Sequence, residues 1–281
     1  MKIAVCGKGG TGKSTVVALF AGEFKKAGMR VTVIDSDESN SGLYWMLGLE
    51  KQPRPLMDFV GGKKDIQGKM IARFRDGQPE PEMSILLQDT IPVQDVPEDY
   101  RVEEDKTRLI AIGKIKQSFE GCACPMGVLS REFLKKLRLD GNEIAIVDME
   151  AGIEHFGRGV EKSVDAVVAV IEPSLESINL AEKIVDLTSG AGANFAGVVM
   201  NKVSSGKTYE TMRAELEKRR LPVLGQIVFS EEIVKACLQG QPIEPAHSGG
   251  QAMKIIAKLQ PVLGFEKIPT SEYKEGNRND R

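Results

Sequence analysis

No apolar run in this 281-residue chain approaches the roughly 20 residues needed to cross a bilayer, which argues against a membrane-spanning protein. The N-terminus lacks a basic stretch followed by an apolar segment and a small-residue cleavage site, so no export signal is expected. A large excess of charge is also missing. The net charge of −2 and a pI near 5.9 give no electrostatic reason to expect nucleic acid as the main partner. Cysteine is scarce, with four residues, two of them in one C-x-C pair. That argues against a disulfide-stapled scaffold and suggests metal or redox chemistry in a reducing, cytoplasmic setting.

Apolar strand-like runs alternate with amphipathic helical stretches. This pattern predicts an α/β fold with a mostly parallel sheet and helices on both faces. Strands are expected at Ile3 to Cys6, Val31 to Ile34, Ser84 to Leu87, Ile144 to Val147, Ala166 to Ile171, Phe195 to Met200 and Leu224 to Val228. Helices are expected at Lys13 to Ala27, Gly127 to Arg138, Leu175 to Thr188, Thr208 to Arg220, Glu231 to Gln239 and Gly249 to Leu263. Residues 1–265 read as one domain. Within it, residues 50–121 are poorly patterned and rich in proline and glycine, an elaboration grafted onto the sheet. Residues 266–281 are polar and read as a tail.

Gly7-Lys8-Gly9-Gly10-Thr11-Gly12-Lys13-Ser14 fits G-x-x-x-x-G-K-[ST] between an expected strand and an expected helix, the context that a phosphate-binding loop requires. Its backbone N–H groups and the helix N-terminus, with Thr15 next in line, would cradle phosphate oxygens of ATP. Lys13 would reach the β- and γ-phosphates, and the Ser14 hydroxyl would ligate Mg²⁺. Two apolar strands end in acids, Val33-Ile34-Asp35-Ser36-Asp37 and Ile146-Val147-Asp148. Either terminal aspartate could instead cap the element that follows it.

The second lysine of the loop, Lys8, resembles that of the deviant Walker A group of P-loop NTPases (the SIMIBI type). This group includes partition ATPases, MinD, nitrogenase iron protein and metal-insertion ATPases. The resemblance implies that Lys8 reaches a partner's nucleotide in a homodimer and that Asp37 orients the attacking water. It also implies that Asp35 lies near the Mg²⁺ water shell and that Asp148 accepts from a Mg²⁺-bound water. Gly152 would stand near the γ-phosphate. Asn201, after a late strand, would read the adenine edge, with Glu172 and Pro173 in the loop flanking the base.

Gly121-Cys122-Ala123-Cys124-Pro125 is not needed by a plain ATPase. In an extended backbone, residues i and i+2 point the same way, so both thiols could face one ion. Zinc or nickel takes four donors, and two copies of Cys122 and Cys124 on a twofold axis would supply them. A redox dithiol and a one-chain zinc site are the alternatives. Cys6 reads as buried.

The segment Asp148-Met149-Glu150-Ala151-Gly152-Ile153-Glu154-His155, with Arg158-Gly159, Val164-Asp165 and Val170-Ile171-Glu172-Pro173, resembles the CooC-type ATPases. The resemblance runs from residue 1 to about 263 and is weakest between 50 and 120. It implies an ATP-dependent metallochaperone that binds Ni²⁺, with Zn²⁺ as the competitor, between subunits. The client would be a nickel-containing carbon monoxide dehydrogenase or acetyl-CoA synthase. Glu38 and Glu150 depart from that pattern. A carboxylate beside a triphosphate repels it unless turned away, which implies slow hydrolysis. The rival readings are a partition or positioning ATPase on DNA or membrane, and an electron-transfer ATPase with a bridging iron–sulfur cluster.

Overall fold

A computed structural model of the chain describes residues 1–75, 85–114, 124–152 and 159–264. The first half contains β1 (Lys2–Gly7), α1 (Lys13–Lys26), β2 (Arg30–Ser36), α2 (Leu43–Met46), α3 (Leu56–Phe59) and α4 (Lys63–Arg75). Then come β3 (Ile91–Pro92), β4 (Val102–Glu104), β5 (Thr107–Ala111), α5 (Cys124–Lys136), β6 (Leu137–Arg138) and β7 (Glu143–Met149). The second half contains β8 (Ala166–Ile171), α6 (Leu175–Gly190), β9 (Phe195–Val203), α7 (Gly206–Lys218), β10 (Val223–Val228), α8 (Glu231–Gln239) and α9 (Gln251–Leu263).

Eight strands form one sheet in the order β10-β9-β8-β1-β7-β2-β5-β4, parallel except where β4 runs against β5. Side chains alternate across each strand, so every central strand feeds two cores. Ala4 and Cys6 of β1 face the core shared with α5, α6 and α7, while Ile3 and Val5 face the one built by α1 and α9. Burial on both sides explains why Ala166–Ile171 is an unbroken apolar run, buried throughout. Crossover helices return each parallel strand to the same edge of the sheet. The carboxyl ends of β1, β2, β5, β7, β8 and β9 therefore meet on one rim, where α/β sheets place their ligands.

The structure corrects four expectations. Of Ser84 to Leu87, residues 85–87 are not a strand, and Ser84 lies outside the described residues. The N–H groups of Ile85 and Leu86 donate to the buried Glu132 carboxylate at 2.8–3.0 Å, not to a strand. The strand that pairs with β2 on that side is β5, inside the region read as a graft, and β4 beside it closes the edge. β9 runs on to Val203, so Asn201 is a strand residue and not a loop residue after it. Finally, α5 opens at Cys124, which places this cysteine in a first helical turn and not in extended chain. Cys122, residues 115–121 and the tail from 265 lie outside the described residues.

Candidate nucleotide site

β1 delivers the chain into the phosphate loop through a residue that must be glycine. Gly7 has φ of +146°, and a Cβ there would stand 2.3 Å from the Val170 carbonyl oxygen of β8. Gly12, at φ +88°, caps α1 and packs directly on Asn201, whose Nδ2 would meet a Cβ at 2.3 Å. Asn201 is buried and donates its amide to the Thr11 carbonyl at 2.8 Å. The position expected to read adenine braces the loop in this structure. The Thr11 hydroxyl donates to the Lys8 carbonyl at 2.9 Å and closes the turn. Lys202 Nζ donates to the Gly10 carbonyl and lies 3.2 Å from the Glu172 carboxylate. Gly9 packs toward Ala151, and Thr15 is half-buried in the first turn of α1. Pro173 follows Glu172 beyond the end of β8.

The Ser14 end of the site is assembled from three elements. Ser14 Oγ donates to Asp148 Oδ2 at 2.6 Å, and Asn40 Nδ2 reaches Ser14 Oγ at 3.0 Å and Asp148 Oδ2 at 3.2 Å. Asp148 is fully buried, and among the described residues its Oδ1 has no hydrogen-bond partner. Burial raises its pKa to about 6, even though the Ser14 hydrogen bond and the nearby Lys13 ammonium act in the opposite direction. A buried carboxylate oxygen left without a donor beside a serine hydroxyl fits a Mg²⁺ ion or its bound water. Lys13 is buried, with Nζ 3.4 Å from the Lys8 carbonyl oxygen. Gly152 donates to the Gly7 carbonyl at 3.2 Å, which places the end of β7 against the loop.

Asp35 and Asp148 are register neighbours on β2 and β7. The Asp35 carboxylate faces Lys114, whose Nζ lies 2.6 Å away. Burial pushes the Asp35 pKa up to about 7, opposed by Lys114 and reinforced by Asp148. Asp37 Oδ1 accepts from the Ser39 N–H at 2.9 Å and the Ser39 hydroxyl at 2.6 Å. Ser36, between the two acids, has its hydroxyl 2.9 Å from that of Ser130 on α5, with both groups buried. Glu38 is buried. Its Oε2 pairs with Lys63 at 2.7 Å, which offsets the negative charge it brings to the site. Lys8 reaches back to Glu176 on α6 at 2.6 Å.

Residues 2–243 match the family described as the CobQ/CobB/MinD/ParA nucleotide binding domain. The chain belongs to that family. A carbon monoxide dehydrogenase accessory protein, CooC, of Rhodospirillum rubrum is 34% identical over 209 residues, 73% of this chain and 75% of that protein. An uncharacterized ATP-binding protein of Methanocaldococcus jannaschii is 42% identical over 243 residues, covering 86% of this chain and 94% of that one. Among solved structures, the septum site-determining protein MinD of Pyrococcus horikoshii, complexed with Mg-ADP, superposes with a TM-score of 0.65. That match has 16% identity and covers 94% of this chain and 97% of the other. This last likeness bears on the fold, a mostly parallel sheet flanked by helices.

Sequence reasoning missed Asn40, Lys63, Lys114, Glu176 and Lys202. Asn40 and Lys114 each had a signal. Asn40 follows the second acid of Asp35-Ser36-Asp37, and Lys114 follows the short apolar run Leu109-Ile110-Ala111-Ile112. The cysteine pair is half visible. Cys124 is half-buried at the start of α5, and Cys122 is outside the described residues. Among the described residues, no group of three or more His, Cys, Asp or Glu could hold a metal ion, and no helix is long and apolar enough to cross a membrane.

Proposed function

We propose that this protein is an ATP-driven metallochaperone that carries Ni²⁺ between two copies of itself and delivers it to a nickel-containing carbon monoxide dehydrogenase or a related client. One observation carries the reading. Cys124 opens α5, and α5 holds Ser36 between the two switch acids through Ser130, so one thiol of the pair and the loop between those acids share one helix. The 34% identity to an accessory protein of carbon monoxide dehydrogenase supports the choice of client.

In this reading the phosphate loop and Lys13 bind the β- and γ-phosphates, and Ser14 and Asp148 would hold Mg²⁺, which would neutralise phosphate charge. Asp37 orients a water that adds to the γ-phosphorus. The bridging oxygen leaves with ADP, and inorganic phosphate is released. Lys8 swings from Glu176 to a partner's phosphates, so two nucleotides close the dimer. Closure brings Cys122 and Cys124 of each copy together as four thiolates, a donor set suited to nickel or zinc. Hydrolysis reverses it.

The test is metal retention after gel filtration in Mg-ATP. Replacing Cys122 and Cys124 with serine is expected to abolish nickel binding while leaving ATP affinity within about twofold. Equal nickel content in wild type and variant would end the metal part of the reading.

A further inference from the structure

Two lysines from the poorly patterned region hold the loop 36–40 at three of its residues and at the strand end that enters it. Lys114, three residues beyond β5, donates to the Asp35 carboxylate at 2.6 Å, to the Asp37 carbonyl at 2.6 Å and to the Asn40 carbonyl. Asn40 is the residue whose amide bridges Ser14 and Asp148. Lys63, the first residue of α4, pairs with Glu38, the two side chains being 10% and 5% exposed.

Neither contact reads as ordinary stabilisation. A buried ion pair recovers its desolvation cost only when its remaining lone pairs are satisfied. Among the described residues, Glu38 Oε1 is buried with no hydrogen-bond partner. Lys114 spends its ammonium on two backbone carbonyls of one short loop, an arrangement that fixes conformation. An apolar pair in place of Lys63 and Glu38 would pack without the unsatisfied Glu38 Oε1. What the lysines gain is a defined path for residues 37–40 over the Ser14–Asp148 contact.

We propose that Lys114 and Lys63 are positioning residues of the nucleotide site. Through them, the region between β2 and α5 sets the conformation of the loop that carries Asp37 and Asn40. The inference rests on the reading of the chain as an ATP hydrolase for its effect on turnover, but not for its effect on the loop. Lys114 sets where Asp37 stands, and Lys63 sets where Glu38 stands. Any movement of α4 or of the β5 end then alters hydrolysis without touching the nucleotide.

Three measurements on Lys114→Met and Lys63→Met test this. In Mg-ATP hydrolysis, Lys114→Met is expected to lower kcat by about tenfold or more with KM within about threefold, since it displaces Asp37 while the phosphate loop stays intact. Lys114→Arg, which restores a cation, is expected to recover part of that loss. In ADP binding, the gain in affinity on adding Mg²⁺ is expected to shrink about threefold or more, with Mg²⁺-free affinity unchanged. By hydrogen exchange, amides of residues 37–42 are expected to exchange about tenfold faster while those of α9 do not change. Faster exchange with an unaltered kcat and an unaltered Mg²⁺ effect would overturn the inference, as would unchanged exchange. If the wild type hydrolyses no ATP, the functional reading fails, and the Mg²⁺ and exchange measurements still decide this one. Should Lys114→Met not fold, Lys63→Met and the neutral double variant Glu38→Gln with Lys63→Met carry the same exchange and Mg²⁺ readouts.

Discussion

Lys8 Nζ stands 2.6 Å from Glu176 Oε2, so the lysine at the head of the phosphate loop is held by its own chain. Glu176 is in the first turn of α6 and largely exposed, and its carboxylate raises the Lys8 pKa through a hydrogen bond. An exposed pair of this kind is a weak restraint. If Lys8 must leave it to serve a second protomer, Glu176→Gln is expected to lower the protein concentration at which ATP drives dimerisation by roughly two- to fivefold. Sedimentation velocity in Mg-ATP reads this directly. A dimer weakened by the substitution would show that Glu176 assists closure.

Asp148 makes the free protein sensitive to pH. Its folded-state pKa, pushed up to about 6 from 3.8 by burial, lies above the unfolded value. The folded state therefore holds its proton longer. The contribution is fully present below pH 4 and is lost as pH rises through about 6, at a cost on the order of 1–3 kcal/mol. Without nucleotide, Asp148→Asn is expected to match the wild type near pH 4 and to melt several degrees higher at pH 8. Mg-ADP should then raise the melting temperature of the wild type more than that of the variant. A variant less stable than wild type at pH 8 without ligand would contradict this.

The Ser36–Ser130 contact is the one direct hydrogen bond, among the described residues, that joins the loop between Asp35 and Asp37 to α5. Ser130→Ala leaves a buried hydroxyl without its partner, at a cost of about 1–3 kcal/mol. Nickel affinity without nucleotide is expected to hold, because no thiol is altered. The increase in nickel retention on adding ATP is expected to fall by half or more, as read by metal analysis after gel filtration. An unchanged ATP effect would show that α5 does not carry the coupling.

The sequence made most of the fold legible where one physical signal dominated. Ala166–Ile171 reads as a buried parallel strand because both its faces meet helices, and the structure places β8 at those residues. Gly7 to Ser14 could be read without homologues, because glycine spacing, lysine and the strand-to-helix context agree. β5 was missed for an equally physical reason. Thr107–Ala111 is five residues long, two of them polar, and its Arg108 is buried only because Glu103 and Glu143 pair with it. No local pattern announces that. Lys63 and Lys114 were invisible for the same reason, since a lysine's partner 25 or 77 residues away is fixed by topology and not by spacing. Cys124 was given extended geometry because the i, i+2 rule was applied to a stretch whose second cysteine begins a helix.

The proposed function requires ATP and a thiolate-bound metal to act at one interface between two chains. Its most direct measurement is light scattering coupled to gel filtration, with nickel and nucleotide analysed in the eluted peak. The expected result is a dimer in Mg-ATP and Ni²⁺ holding one nickel ion per two chains, with the metal lost when Cys122 or Cys124 is serine. A protomer that stays single under every nucleotide and nickel condition, or nickel at one ion per chain untouched by ATP, would contradict it.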